Sequence, residues 1–251
     1  MKWIPRQNQH VDRVGGQASI VRCQDIAAPV AIGTALGKVR KKQEDAIGVV
    51  STPNRLVVVV CDGMGGMKDG QWCATTARRS VANSILAGAD LTDACLTANR
   101  AVLRRMQRSG GTTIVLAELL RDGSAVIAHA GDSRGHVLVD GRVMVTQDHA
   151  IKRWGLTNFI GSQEPHVDKV EFPPGWSMIV LTTDGIHELV NVPNAMTEAQ
   201  SAEPESLAKR MIEEALASGG HDNATIAVIL PARETATQTT LWNCEDSFVW
   251  G

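Results

Sequence analysis

Apolar residues along this chain come mostly in short runs closed by turn residues, and only two regions show the wider spacing of helices. Short apolar or β-branched runs at 20–23, 30–36 and 47–50 predict strands, and 55–61 is close to an unbroken valine run. A series of hairpins follows. The run 112–120 closes at Arg121-Asp122-Gly123, 125–130 comes next, and 136–139 turns at Asp140-Gly141 into 142–146. Asp-Gly between apolar runs predicts antiparallel pairing. Runs at 177–182 and 224–230 complete the strand set. Two helices are expected between Gly70 and Gln107, the second with Leu91, Ala94, Cys95, Ala98, Ala101 and Val102 on one stripe. Either Asp90 or Thr92 can cap its start. A third helix opens near Pro204 and stops at Gly219-Gly220. Strands and helices grouped in this way, without strict alternation, indicate an α+β layered domain.

With 251 residues the chain can build one sizeable core, as one domain or two. A formal net charge of −2 gives no electrostatic case for nucleic acid or an anionic membrane as partner. The basic cluster Lys38-Val39-Arg40-Lys41-Lys42 reads first as a solvated face. No apolar run approaches the ~20 residues of a membrane span, and no apolar stretch follows Lys2 and Arg6. A soluble cytoplasmic protein is expected. The five cysteines are scattered without a Cys-x-x-Cys pair, which argues against a disulfide framework or a zinc site.

The candidate chemistry lies in acidic residues at strand ends. Asp62 follows the valine run and precedes Gly63, Asp184 follows Thr182-Thr183, and Asp222 precedes the last strand. Carboxylates from distant sequence can be brought level there, and hard oxygen ligands are what Mg²⁺ or Mn²⁺ requires. Three aspartates so placed, with Arg40 and Glu44 upstream, are more than turn formers.

Seven short motifs occur in order: Gly37-x-x-Arg40-x-x-Gln43-Glu44-Asp45, Asp62-Gly63-Met64-Gly65-Gly66, Gly111-Thr112-Thr113, Gly131-Asp132-Ser133-Arg134, Thr146-x-Asp148-His149, Thr183-Asp184-Gly185 and Asp222-Asn223-x-Thr225. Together they resemble the metal-dependent type 2C serine/threonine protein phosphatases, of the bacterial type. The resemblance implies a four-layer α-β-β-α sandwich with two central antiparallel sheets. Residues 1–231 would form the catalytic domain, and 232–251 a tail that is partly disordered.

It further implies two ions, Mg²⁺ or Mn²⁺, held by Asp62, the Gly63 carbonyl, Asp184 and Asp222, with Glu44 acting through water. Arg40 would meet the substrate phosphate as a bidentate fork. Water activated between the ions would attack directly, without a phosphoenzyme. Asp132 either helps hold a third ion or only makes turn hydrogen bonds; both readings stand. Phosphorylated proteins would be the substrates and a Ser/Thr kinase the partner, with no role for nucleic acid or membrane insertion and the oligomeric state open.

Two departures matter. Met64 stands where better-known relatives carry a proton-donating His, and Met has no proton to give. His221 is a candidate donor, although a structural role suits it better. The flap of a few dozen residues that usually follows Thr-x-Asp-His is cut to 150–155, which opens the site. Two other functions compete: a catalytically weak docking module for a kinase or receptor, and a phosphatase of small metabolites. Cys73 and Arg79 have the spacing of cysteine-dependent phosphatases, but the residues between lack glycine and lie in a predicted helix.

Overall fold

The computed structural model describes residues 28–64, 69–107, 109–151, 155–199 and 202–231. The strand expected at 20–23 and the tail from 232 onward lie outside them.

The valine run becomes β3 (Arg55–Asp62), and the pattern of its burial explains the whole architecture. Leu56, Val58 and Val60 point to one hydrophobic cluster, while Val57, Val59 and Cys61 point to another. A strand covered on both faces reads as a continuous apolar run. On the side of Val57, Val59 and Cys61 lie the helices α1 (Gly70–Leu86) and α2 (Leu91–Met106), which fill that cluster with Cys73, Ala77, Val81, Cys95, Ala98 and Val102. On the other side lies a second sheet.

The sheet containing β3 runs β10 (Asp168–Phe172), β5 (Ala125–Ala130), β4 (Ile114–Leu120), β3, β2 (Asp45–Thr52). The second runs β1 (Val30–Ala35), β12 (Ala224–Ile229), β11 (Trp176–Thr182), β6 (Arg134–Val139), β7 (Arg142–Val145). Every pairing in both is antiparallel. The outer face of the second sheet is covered by α3 (Asp184–His187), α4 (Val192–Glu198) and α5 (Pro204–Ala217) through Ile186, Met196, Leu207, Met211 and Ile212. The result is helices, sheet, sheet, helices, the expected four layers.

Both Asp-Gly hairpins form. In the β6–β7 turn, Asp140 and Gly141 both have positive φ (49° and 74°), which matches the right-handed twist of the strands. Asp90 is the cap of α2, its side chain accepting from the Asp93 N–H at 2.8 Å. On that helix Asn99 and Met106 are buried with the expected stripe, while Ala101 is only half-buried. Three strands escaped the pattern. β10 is an edge strand, exposed except at Phe172, and β8 (Ala150–Ile151) with β9 (Gly155–Leu156) forms a small separate pair where the flap is shortened. The short helices α3 and α4 were likewise not foreseen.

The registers place the ends that matter. Asp45 pairs with Asp62, Ala35 with Ala224, and Thr182 with Arg134. The start of β2, the end of β3, the start of β12 and the end of β11 thus share one rim of the sandwich. Val30 and Ile229 pair at the opposite rim.

Candidate active site

Asp45, Asp62, Asp132, Asp184 and Asp222 meet on the first rim. Asp62 ends β3, and its backbone is fixed on both sides. Its N–H donates to Thr113 Oγ1 at 3.0 Å, and its carbonyl accepts from Thr113 N–H and Thr112 Oγ1, each at 2.8 Å. The Thr113 hydroxyl continues to Ser133 Oγ at 2.6 Å, tying this strand end to the Gly131–Arg134 turn. Asp184 opens α3 directly after Thr183. The buried Thr183 hydroxyl accepts from Thr225 N–H at 3.0 Å and donates to Asp45 Oδ2 at 3.0 Å, so one side chain bridges the two sheets.

Crowding sets the electrostatics. Removal from water, and then the fields of Asp45, Asp184, Asp222 and Asp132, hold the Asp62 carboxyl well above its ordinary range. Burial and then the Asp222 and Asp132 charges push Asp184 up to about 6. Burial pushes Asp45 up to about 7, against the hydrogen bonds from Thr225 and Thr183. Asp132 is raised by burial first and by Asp148 and Glu188 after it. Asp184 Oδ1 is a buried carboxylate oxygen with no hydrogen-bond partner. An all-oxygen, charge-crowded donor set with an orphaned carboxylate oxygen fits a hard divalent cation.

Arg40 stands at this rim, paired with a carboxylate. Its Nη2 donates to Asp222 Oδ2 at 2.5 Å, and Nη1 lies 3.9 Å from Glu44 Oε2. The pairing with Asp222 raises the guanidinium further above its already high range. Its neighbours Lys38, Val39, Lys41 and Lys42 are exposed. Gly63 donates its N–H to the Glu44 carbonyl at 3.1 Å, and a Cβ there would sit 2.2 Å from the Gly70 carbonyl oxygen. No side chain fits at position 63.

Asp45 is the site residue that sequence reasoning passed over. It sits inside a motif whose weight fell on Glu44, and only the β2–β3 register reveals that it faces Asp62. The parity of the strand was the available signal, since residues directly opposite in a hairpin share a face.

The histidines divide. His221 is exposed, its ring against Gly219. Met64 reaches over Gly111, beside Phe159. His129 and His149 stack at 4.5 Å, and with Asp168 they group three donor atoms within 4.8 Å of one another. The hydrogen bonds speak against an ion there. His149 Nδ1 accepts from Gly131 N–H at 3.2 Å and from Asn158 Nδ2 at 2.9 Å, so the ring proton is on Nε2 and points to Asp168 Oδ2 at 3.0 Å. His149 thus has a hydrogen-bonding role. His129 packs by its ring, its buried Nδ1 without a partner, and burial lowers it to about 4.

Two packed antiparallel sheets carrying an acidic rim, with helices on both outer faces, define a phosphatase-type α-β-β-α domain. The sequence profile of the Stage II sporulation protein E (SpoIIE) family matches residues 52–230, and the chain belongs to that family, a phosphatase domain of type 2C. It is 29% identical over 254 residues to a mitochondrial protein phosphatase 1K of Xenopus laevis, a match covering 80% of this chain and 67% of the relative. A serine/threonine phosphatase stp of Listeria welshimeri is 29% identical over 138 residues, 47% of this chain, and the match spans about half of that relative (53%). The catalytic domain of the serine/threonine protein phosphatase PstP, solved in complex with two manganese ions, superposes with a TM-score of 0.68 at 24% identity, over 82% of this chain and 99% of that one. This last likeness speaks for the fold alone.

Proposed function

We propose that this protein removes phosphate from phosphoserine and phosphothreonine in proteins, using divalent metal ions. The observation that carries the reading is the convergence of Asp62, Asp184 and Asp222 from three strand ends on one rim, with Arg40 bonded to Asp222. Asp62, the Gly63 carbonyl, Asp184 and Asp222 would hold two ions, Mg²⁺ or Mn²⁺, with Glu44 acting through water and Asp132 as the ligand that would add a third. The manganese bound by PstP supports this choice. Such ions, when bound, neutralise phosphoryl oxygens and lower the pKa of water. This chain's own residues do the rest. Asp62 and Asp184 supply the ligand carboxylates, and the bonds of Thr113 and Thr183 fix the backbone that carries them, which keeps the donors preorganised. Arg40 is a planar fork suited to two phosphate oxygens, and its bond to Asp222 holds it at the rim beforehand.

Residues 1–231 are taken as the catalytic domain and 232–251 as a tail, a division supported by the family match ending at 230. A protein kinase acting on the same substrates is the expected functional partner. Among the described residues no helix is long and apolar enough to cross a membrane, and a cytoplasmic location is part of this reading.

The test is hydrolysis of p-nitrophenyl phosphate, a phosphothreonine peptide and a panel of phosphorylated metabolites, with Mn²⁺, with chelator, and in Asp184→Asn. Turnover of the peptide with Mn²⁺, lost in chelator and reduced about 10²-fold or more in the variant, is expected. Activity that survives chelator would overturn the metal reading. Turnover of metabolites alone would replace the protein substrate, and no turnover at all would leave a docking module.

A further inference from the structure

We propose that Asn223 is a positioning residue that sets Arg40 and Glu44 in place against Asp184 and Asp222; this rests on the phosphatase reading for its consequence, though not for its geometry. Asn223 is 2% exposed, and its amide is fully used. Oδ1 accepts from the Glu44 N–H at 2.7 Å, while Nδ2 donates to the carbonyls of Leu36 at 2.9 Å and Lys42 at 3.0 Å. All three partners are backbone groups of the segment that carries Arg40, some 180 residues away in sequence.

The same residue also touches the other two carriers of the site. Its N–H donates to Asp222 Oδ1 at 2.7 Å, which orients that carboxylate. Its carbonyl lies so near Gly185 that a Cβ there would be 2.0 Å away, so α3 begins directly against it and Asp184 with it. Strand start, helix start and loop therefore meet at one buried amide.

The segment 37–44 needs such a tie. Lys38, Val39, Lys41 and Lys42 are exposed and give it no apolar anchor. Apart from Asn223, it is held at Lys38 N–H to the Gly220 carbonyl (2.7 Å), at Arg40 Nη2 to Asp222 Oδ2 (2.5 Å), at Gln43 Nε2 to Thr34 Oγ1 (2.7 Å) and at the Glu44 carbonyl by Gly63 N–H (3.1 Å). None of these spans both of its ends. Only an amide side chain offers one acceptor and two donors in a plane, and an aspartate of the same shape has no donors.

The experiment uses the full chain with Asn223→Ala and Asn223→Asp. Arg55→Ala is a control that weakens the fold away from the rim, where Arg55 binds Glu118 and the carbonyls of Ile85 and Ala89. Hydrogen exchange in chelator reads the amides of residues 38–44, and steady-state kinetics with Mn²⁺ read kcat and KM for a phosphothreonine peptide. Asn223→Ala should speed exchange at the Glu44 amide about tenfold or more and raise KM about tenfold, since a misplaced binding group costs up to ~10²-fold. Asn223→Asp should restore part of the Glu44 protection but not KM, and Arg55→Ala should leave both at the wild-type value. Unchanged Glu44 protection and KM in Asn223→Ala, with a fall in stability like that of Arg55→Ala, would overturn the proposal. Should Asn223→Ala not fold, Asn223→Ser is read in its place. If the wild-type protein hydrolyses nothing, the exchange measurement still decides the role of Asn223, and only the phosphatase reading fails.

Discussion

Asp45 and Asp62 stand directly across a hairpin from one another, and neither carboxyl ionises without cost. Asp45 has a folded pKa of about 7 against an ordinary 3.8, so the folded protein holds this proton more tightly than the unfolded chain does. Its stabilising effect is complete below the unfolded value and is lost as pH rises toward 7; above 7 the full penalty is in force. Asp45→Asn should therefore raise the melting temperature of the protein in chelator most at pH 8, with the gain shrinking as pH falls through 7 toward 4. A gain that stays constant with pH would mean that charge is not the cause. The same residue shows what a sequence leaves hidden. Asp62, Asp184 and Asp222 advertise themselves at the ends of long apolar runs, whereas Asp45 precedes a shorter one and is singled out only by its register partner. Asn223 likewise reads as a motif letter until its three backbone partners are seen.

At the scale of elements, the parts that were legible were those buried on one or both faces. The Val57–Cys61 run and the α2 stripe are long, apolar and periodic, and both became core. β10, with Asp168, Lys169, Val170 and Glu171 all exposed, carries the charges of a protected edge and so has no apolar alternation to detect. α3 is only four residues long, too short for a helical period to register. Contacts between elements were also invisible. Arg55, at the start of β3, reaches the C-terminal end of α1, where Nη2 donates to the carbonyls of Ile85 (3.2 Å) and Ala89 (2.6 Å) and Nη1 to Glu118 at 2.9 Å. The Ile85 carbonyl belongs to the last turn of α1 and that of Ala89 to the loop before α2, so Arg55 ties the helix pair to β3. Arg55→Ala strands a buried Glu118 and should cost about 3 kcal/mol, measured as a lower urea midpoint with unchanged slope.

For the whole molecule, folding assembles mutually repelling charges on one rim, and an added cation should repay that. Saturating Mn²⁺ at about 100 times its dissociation constant adds roughly 2.7 kcal/mol, a rise of about 5–10 °C in melting temperature for a domain of this size. Asp184→Asn should melt higher than wild type in chelator, because one repelling charge is gone, yet lose most of the Mn²⁺ response. Equal shifts in the two proteins would place the ions elsewhere. An α+β layered domain was foreseen from the grouped strands and hairpin turns, and its four layers from the family resemblance, but the rim on which the carboxylates meet depends on registers set by turns far from the site. Those registers also decide where the chain leaves the sandwich. β1 begins and β12 ends on the rim away from the acidic cluster, six paired residues from it, a distance of about 20 Å. Any regulator, anchor or neighbouring domain tethered through residue 28 or 231 would be hung from the back of the enzyme. It would need a leash of about six extended residues before it could touch the working face, and a shorter leash would leave that face open to traffic from solution.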